Sequence, residues 1–505
     1  MYVYQRLKDI REDLDKKQED IALVLGITRQ QHQLYESGKR EMPMHHFKEN
    51  AFNMKRYIAC LQEMTQQKIN SLDLPVLVCG KDAPRPGGAA AIWVEYLPEL
   101  QPYKDSEDPD KAGISAVFLY APTTFDPSYY EDEELKDMGI LRTFAYIGKP
   151  VGEGSVPGIV CVHGGLGHAY ATYVLEAIKH GFAAIAIDTE GCVNTTGGTT
   201  GSAYNELEAA YVKDVAGHMG KDSFANVEGA LEGQWIYNAL CDISIANTVL
   251  RATEGVVAEE VGLTGISWGG LLTSTAICYD ERFAFCVPIY ISFHMAESLG
   301  SSVGGLNTNA FAASLWQDEA RFAASTVPTM LISSEKDGFA SVDVLSATYR
   351  DLKTGYILIK PGLTHSQSAG ASIPEIYCFG KKILEKGDTL ITFDRQITEK
   401  DGHEYRVGLK IPDGMTNVTA TLYYRTAPIE PYSSFATGPD FKSMPLSFDD
   451  AGVLTVSVPT SAACYYISVR GYSEEVRAVK ETTPNYDGFE KGYLYTSSDF
   501  IQFEK

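Results

Sequence analysis

The chain has 505 residues, more than one ordinary domain accommodates, and its 44% hydrophobic and 22% charged residues are enough to build sizeable cores. A formal net charge of −23 argues against a chain that coats nucleic acid or anionic lipid over its whole surface. No run approaches the roughly 20 apolar residues of a membrane-spanning helix, and the nine cysteines include no C-x-x-C pair, so free thiols, a cytoplasmic setting and no membrane partner are expected.

Charge divides the chain unevenly. Residues 1–56 carry 11 Lys+Arg against 9 Asp+Glu, a net of +2, whereas the other 449 carry 32 against 57, a net of −25. In the basic segment, Leu7, Ile10 and Leu14 share one helical face. Ile21, Ala22 and Leu25 make a second such face, stopped at Gly26. Thr28 and Gln31 have capping-box spacing, which predicts a third helix from there. Two helices about a glycine turn form the unit whose second helix enters a DNA major groove. GITRQQHQLYESGKREMP resembles the Cro/C1-type (phage repressor-like) helix-turn-helix family. The resemblance implies that residues 1–55 bind double-stranded DNA, with Gln18, Arg29, Gln30, Gln31 and Lys39 facing phosphates or base edges. Such modules commonly act in pairs, so a homodimer is the matching assembly. Residues 56–90 are expected to connect this module to the next domain.

Across residues 91–385, apolar strand-like runs alternate with helical ones. The strand-like runs are PGIVCVHGG, FAAIAIDTEG, VGLTGISWGG, FAFCVPIYIS, PTMLISSEKDG and GYILIKPGLTH, and ATYVLEAIKH and IYNALCDISIANTVLRA lie between them. The alternation predicts a mostly parallel sheet with helices on both faces, whose ligands bind beyond the carboxyl ends of the strands. After about residue 386 no helical stretch is expected. VTATLYYRTA, GVLTVSVP and CYYISVRGYS predict an all-β, sandwich-like domain over 386–505.

The G-x-S-x-G pattern occurs twice, as Gly265-Ile266-Ser267-Trp268-Gly269 and as Gly300-Ser301-Ser302-Val303-Gly304. Chance alone gives such a match about one time in five in a chain this long, so context must choose. The second match has neither a strand before it nor a helix after it. The first follows EVGLT and leads into GLLTSTAICYD, the strand–turn–helix setting of a nucleophile elbow. A serine needs a base, and His365, after the last strand of the sheet, is the candidate. Asp337, directly after a strand, is the candidate acid that orients it, with Glu335 and Asp343 as rivals. Backbone N–H groups of Trp268 and of Gly165 or Leu166 in the turn HGGLG would form an oxyanion hole. His163, His168 and Tyr290 are candidates for the substrate pocket.

Taken together, VPGIVCVHGGLGHAY, GFAAIAIDTEGC, VGLTGISWGG, VPTMLISSEKDGF and THS resemble the acetyl xylan esterase/dienelactone hydrolase-like branch of the α/β-hydrolases, related to prolyl oligopeptidase catalytic domains. The resemblance spans roughly residues 90–385 and implies Ser267, His365 and Asp337 as a triad. It further implies a serine esterase that removes small acyl groups, acetyl foremost, from a carbohydrate, with no metal and no organic cofactor. The residues leave open a transcriptional regulator with a hydrolase-fold sensor domain, and a peptidase or amidase using the same triad.

Overall fold

The apolar runs between residues 76 and 359 become strands. In chain order they are β1 (Val76–Cys79), β2 (Ile92–Tyr96), β3 (Ser115–Pro122), β4 (Ile140–Gly148), β5 (Val156–Val162) and β6 (Ala183–Ile187). There follow β7 (Cys192–Asn194), β8 (Tyr211–Lys213), β9 (Val256–Ile266), β10 (Cys286–Ile289), β11 (Thr329–Ser333) and β12 (Gly355–Ile359). The computed structural model describes residues 17–19, 22, 28–36, 76–79, 92–103, 106–122, 140–152, 154–194, 211–213, 224, 227, 234–301, 303–393, 398–399, 403–432, 438–449, 453–479 and 489–503. All of these strands except the β7–β8 pair join one sheet, ordered β1-β2-β3-β4-β6-β5-β9-β10-β11-β12.

The half from β6 to β12 is parallel throughout. β3 runs antiparallel to both β2 and β4, and β4 is antiparallel to β6. β6, β10 and β11 are buried at every position, which is why their sequences are continuously apolar rather than alternating. The helix Trp235–Ala252 is buried from Trp235 to Leu250 on all sides, its polar positions Asn238, Asp242 and Asn247 included. Its buried Asp242 accepts from Thr143 Oγ1 at 2.6 Å, so that polar group is not stranded in the core. Helices Ala171–Lys179, Trp268–Ala276, Val342–Asp351 and Glu375–Ile383 complete the same apolar cluster.

The C-terminal part is β-rich. Its strands are β13 (Thr392–Phe393), β14 (Thr398–Glu399), β15 (Glu404–Val407), β16 (Leu409–Lys410) and β17 (Thr416–Arg425), then β18 (Lys442–Phe448), β19 (Leu454–Ser457), β20 (Cys464–Tyr472), β21 (Tyr493–Ser497) and β22 (Ile501–Gln502). β18 pairs with β17 through Lys442–Leu446 and with β19 through Ser447 and Phe448. Residues from both sides of that junction, Leu422 and Ile467 with Leu454 and Val456, fill one apolar cluster. This part is also fastened to the large sheet. Ile359 N, on the outermost strand β12, donates to Ser497 Oγ at 2.7 Å. Lys360 Nζ bonds both oxygens of Glu375 at 3.0 Å, with the two side chains 1% and 0% exposed, and Tyr495 N donates to the same carboxylate at 2.8 Å.

Two expectations change. Residues 56–90 do more than connect, because β1 lies within them and pairs in parallel with β2. The region after 386 does contain a helix, Glu474–Ala478, whose N-cap Ser473 accepts from Val476 N. Five residues are too few for a periodic signal, although Ser473 followed by Glu474 and Glu475 marks a helix start. Of the expected helix-turn-helix, the described residues include the helix Arg29–Glu36, which begins directly after Thr28 and contains Gln31; Arg29 and Gln30 are exposed on it, and Gln18 is helical. Lys39 and most of residues 1–55 lie outside the described residues. The eight described cysteines are free thiols, and among the described residues no helix is long and apolar enough to cross a membrane.

Candidate active site

Ser267 stands between the end of β9 and the helix Trp268–Ala276, with φ 56° and ψ −113°. A side-chain-bearing residue adopts such a backbone only at a cost, on the order of 1–3 kcal/mol. The flanking glycines show what the turn needs. A Cβ on Gly265 would lie against the carbonyl of Gly269, and one on Gly269 against the carbonyls of Val162 and His163. Strand, turn and helix thus pass at backbone contact, and the serine is lifted to the carboxyl edge of the sheet with a helix N-terminus behind it. Ser267 N donates to Ile289 O at 3.0 Å, tying the turn to β10.

His365 arrives on the loop after β12. Its Nε2 lies 2.8 Å from Ser267 Oγ, and its Nδ1 lies 3.0 and 3.1 Å from the two carboxylate oxygens of Asp337. The ring is stacked on Tyr290 at 4.3 Å and faces Phe339 at 4.5 Å. Asp337, 1% exposed, follows β11. Its Oδ1 accepts from Phe339 N at 2.8 Å and Ala340 N at 3.1 Å, and its Oδ2 from Ser333 Oγ at 3.1 Å. Of the three candidate acids, Asp337 is the one bonded to the imidazole. Glu335 instead takes Gly362 N and Tyr466 Oη–H, and burial pushes its carboxyl above the usual range. Asp343 sits in the first turn of the helix Val342–Asp351.

The turn after β5 carries the other candidates. Leu166 has φ 62° and its side chain is 84% exposed, but its amide donates to Glu190 Oε1 at 3.1 Å, so that N–H is committed elsewhere. Gly164 N is taken by Gln367 Oε1 at 3.1 Å and Gly167 N by Gly164 O at 3.0 Å. Among the described residues the amide of Gly165 makes no hydrogen bond, and it is the remaining donor of the turn. Trp268 follows the serine as the first residue of its helix. Its indole packs edge-on against Trp235 at 5.0 Å, which anchors the helix start.

The three pocket candidates are all buried. His163 is buried, with Nδ1 2.7 Å from Gly164 O and Nε2 accepting from Thr189 N at 3.0 Å. It therefore pins the turn rather than lining a pocket. His168 is buried beside Tyr170, and burial depresses its imidazole to about 4. Tyr290 lies behind His365 and its hydroxyl donates to Thr364 O at 2.7 Å, holding the loop that presents the imidazole. Sequence reading did not single out Gln367, two residues past His365, whose Oε1 also accepts from Tyr173 Oη–H at 2.7 Å. Gln367 links the histidine loop to the turn after β5. The second G-x-S-x-G stretch touches the first where Gly304 abuts the indole of Trp268, and it touches the acid loop where Ser301 N donates to Gly338 O at 3.0 Å.

Among the described residues, His294, Glu297 and Glu319 bring three potential metal-ligating atoms within 4.8 Å. Both glutamates are exposed and His294 Nε2 is held by Asp351 Oδ2 at 2.7 Å, the arrangement of a surface ion-pair cluster. A neutral imidazole can accept the serine proton as the oxygen attacks, and a carboxylate on its far nitrogen fixes the tautomer that permits this.

No family model and no curated protein matches the chain. Among solved structures it is similar to an acetyl xylan esterase from Paenibacillus sp. R4, at 17% identity over 59% of this chain and 85% of that one, with a TM-score of 0.39. It is similar also to acetyl xylan esterase 1 from Thermoanaerobacterium sp. JW/SL YS485, at 14% identity over 59% and 86%, with a TM-score of 0.39. A third similarity is to the acylaminoacyl peptidase of Pyrococcus horikoshii, at 19% identity over 48% of this chain and 39% of that one, with a TM-score of 0.34.

Proposed function

We propose that the chain is a serine hydrolase of small carboxylic esters, acting on an acylated carbohydrate. The observation that carries the hydrolase reading is the 2.8 Å contact of Ser267 Oγ with His365 Nε2, on a turn of positive φ and with Asp337 on the opposite ring nitrogen. Ser267 Oγ attacks the ester carbonyl while His365 takes its proton. The oxyanion is met by the amides of Trp268 and Gly165. Collapse breaks the C–O bond to the alcohol, which leaves with the proton from His365. Water then attacks the acyl-enzyme with His365 as base, and the acid and free serine are released. The carbohydrate alcohol rests on the sequence resemblance of residues 90–385.

Ser267→Ala should lower kcat for p-nitrophenyl acetate by on the order of 10⁶. A fluorophosphonate should label Ser267 in the unaltered protein. Turnover unchanged in the variant would overturn the reading. Acetylated sugars tested beside peptide amides then sort the substrate class.

A second reading, DNA binding by residues 1–55, is favoured by the exposed Arg29 and Gln30 on the helix Arg29–Glu36. Gel shifts on the upstream DNA should weaken steeply as salt rises. No shift at low salt would remove it.

A further inference from the structure

The loop that carries the proposed acid is held from two directions. On the sheet side, Lys360 N donates to Ser333 O at 2.8 Å, and Gly362 N donates to Glu335 Oε1 at 3.1 Å. Glu335 therefore ties residues 334–337 to the loop that presents His365. The other side is covered by the C-terminal β-rich part. Tyr432 Oη–H donates to the main-chain oxygen of Asp337 itself at 2.9 Å, and Tyr432 N donates to Leu299 O at 2.8 Å. Gly438 N donates to Lys336 O at 3.0 Å, and Lys336 Nζ pairs with Asp440. Tyr466, fully buried, donates to Glu335 Oε2 at 3.1 Å. Three consecutive positions of the chain, Glu335 to Asp337, thus meet residues 95 to 131 positions downstream.

Gly438 shows how closely the two parts fit. A Cβ there would fall on the carbonyl oxygen of Glu335, 3.1 Å from that residue's carbonyl carbon and 3.2 Å from Asp337 O. No flexible side-chain tip is in the way to give; the obstacle is backbone, and the backbone is that of the acid loop.

We propose that the β-rich part is a component of the active site: Tyr432, Gly438 and Tyr466 are positioning residues that hold Asp337 against His365. This rests on the hydrolase reading. The Asp337–His365 contacts of 3.0 and 3.1 Å leave little slack, and a displacement of about 1 Å in such a constellation costs about 10²-fold in rate.

The test uses the full chain, with Tyr432→Phe, Gly438→Ala and, as a control in the same part, Arg406→Gln, which removes a surface pair with Asp449. For each variant, kcat and KM for p-nitrophenyl acetate are measured per fluorophosphonate-titrated site, together with the labelling rate of Ser267. Thermal unfolding and hydrogen exchange of peptides spanning 337–341 are recorded alongside. Tyr432→Phe should lower kcat about tenfold and Gly438→Ala about 10²-fold, with KM unchanged and the control at the level of the unaltered protein. Exchange should rise at Phe339 and Ala340, whose amides grip the Asp337 carboxylate. A purely structural role would lower the melting temperature and the number of labelled sites while leaving kcat per site intact, and that result overturns the proposal. Labelling of both variants at the unaltered rate also overturns it while the hydrolase reading stands. Should Gly438→Ala not fold, Tyr432→Phe decides alone. If Ser267 of the unaltered protein takes no label, the hydrolase reading falls and this role with it.

Discussion

Replacing Asp337 with asparagine changes one atom and should reverse the direction of a hydrogen bond. Two backbone donors, Phe339 N at 2.8 Å and Ala340 N at 3.1 Å, converge on Oδ1, so the amide oxygen of the new residue must take that place. Its NH₂ then occupies the Oδ2 position, 3.0 Å from His365 Nδ1 and 3.1 Å from Ser333 Oγ, a hydroxyl that can turn to accept. An NH₂ facing Nδ1 requires a lone pair there, which moves the ring proton to Nε2. The nitrogen 2.8 Å from Ser267 Oγ then offers a proton where it should accept one. The expected loss is on the order of 10⁴ in kcat. At 1.36 kcal/mol for each tenfold this is about 5.4 kcal/mol. Because the two side chains are isosteric, the melting temperature and KM for p-nitrophenyl acetate should hardly move. Glu335→Gln and Asp343→Asn belong in the same assay; the first should cost less than about 10²-fold, through its link to the histidine loop, and the second should leave kcat near its original value. Asp337→Asn within tenfold of the unaltered protein, or a larger loss at position 335 or 343, would refute the assignment.

Other consequences are equally open to measurement. Lys360→Met would leave Glu375 buried without its cation and should cost about 3–5 kcal/mol in urea denaturation, much of it regained in Lys360→Met/Glu375→Leu; a single-variant loss under about 1 kcal/mol would contradict this. Gly269→Ala drives a methyl into the carbonyls of Val162 and His163, so about 1–3 kcal/mol of stability and most fluorophosphonate labelling should go together; full labelling at unchanged stability argues otherwise. His180, stacked on Tyr377 at 4.3 Å, is depressed to about 3 by burial and then by the charge of Lys381. The unfolded chain takes up that proton below about 6.5 whereas the folded one resists until about 3, so stability falls as pH drops through this window, by on the order of 3 kcal/mol at pH 4. The urea midpoint of His180→Phe should fall less between pH 6.5 and 4, and parallel slopes would exclude His180 as the cause.

The parallel strands were legible because burial on both faces forces continuous apolar runs, as in Ala183–Ile187 and Thr329–Ser333. Ser267, Asp337 and His365 could be named because each directly follows such a run or lies on its closing loop, where local pattern and chain order carry the signal. The amides of the turn after β5 could not be sorted that way. Whether Leu166 N–H is available depends on Glu190, 24 residues on, and whether Gly164 N–H is available depends on Gln367, 203 residues on. Tyr290 follows β10, and its ring stacks on His365 at 4.3 Å while its hydroxyl donates to Thr364 O, 74 residues on, a contact that no local pattern around residue 290 announces. Tyr432 and Gly438 lie in a stretch with no repeating pattern, so their contacts with the acid loop emerge only once two distant parts of the chain are packed together.

The attachment of Ser497 to Ile359 bears on how this protein could be shortened. β12 closes one margin of the ten-stranded sheet, and a chain cut after residue 385 would lose what lies along that margin. The polar groups of Gly355–Ile359 would then form an open ladder ready to recruit a neighbouring copy sideways. A fragment that ends there is accordingly expected to precipitate for lack of a cover rather than for lack of a core, and a charged or proline substitution in that strand would be the first remedy to try.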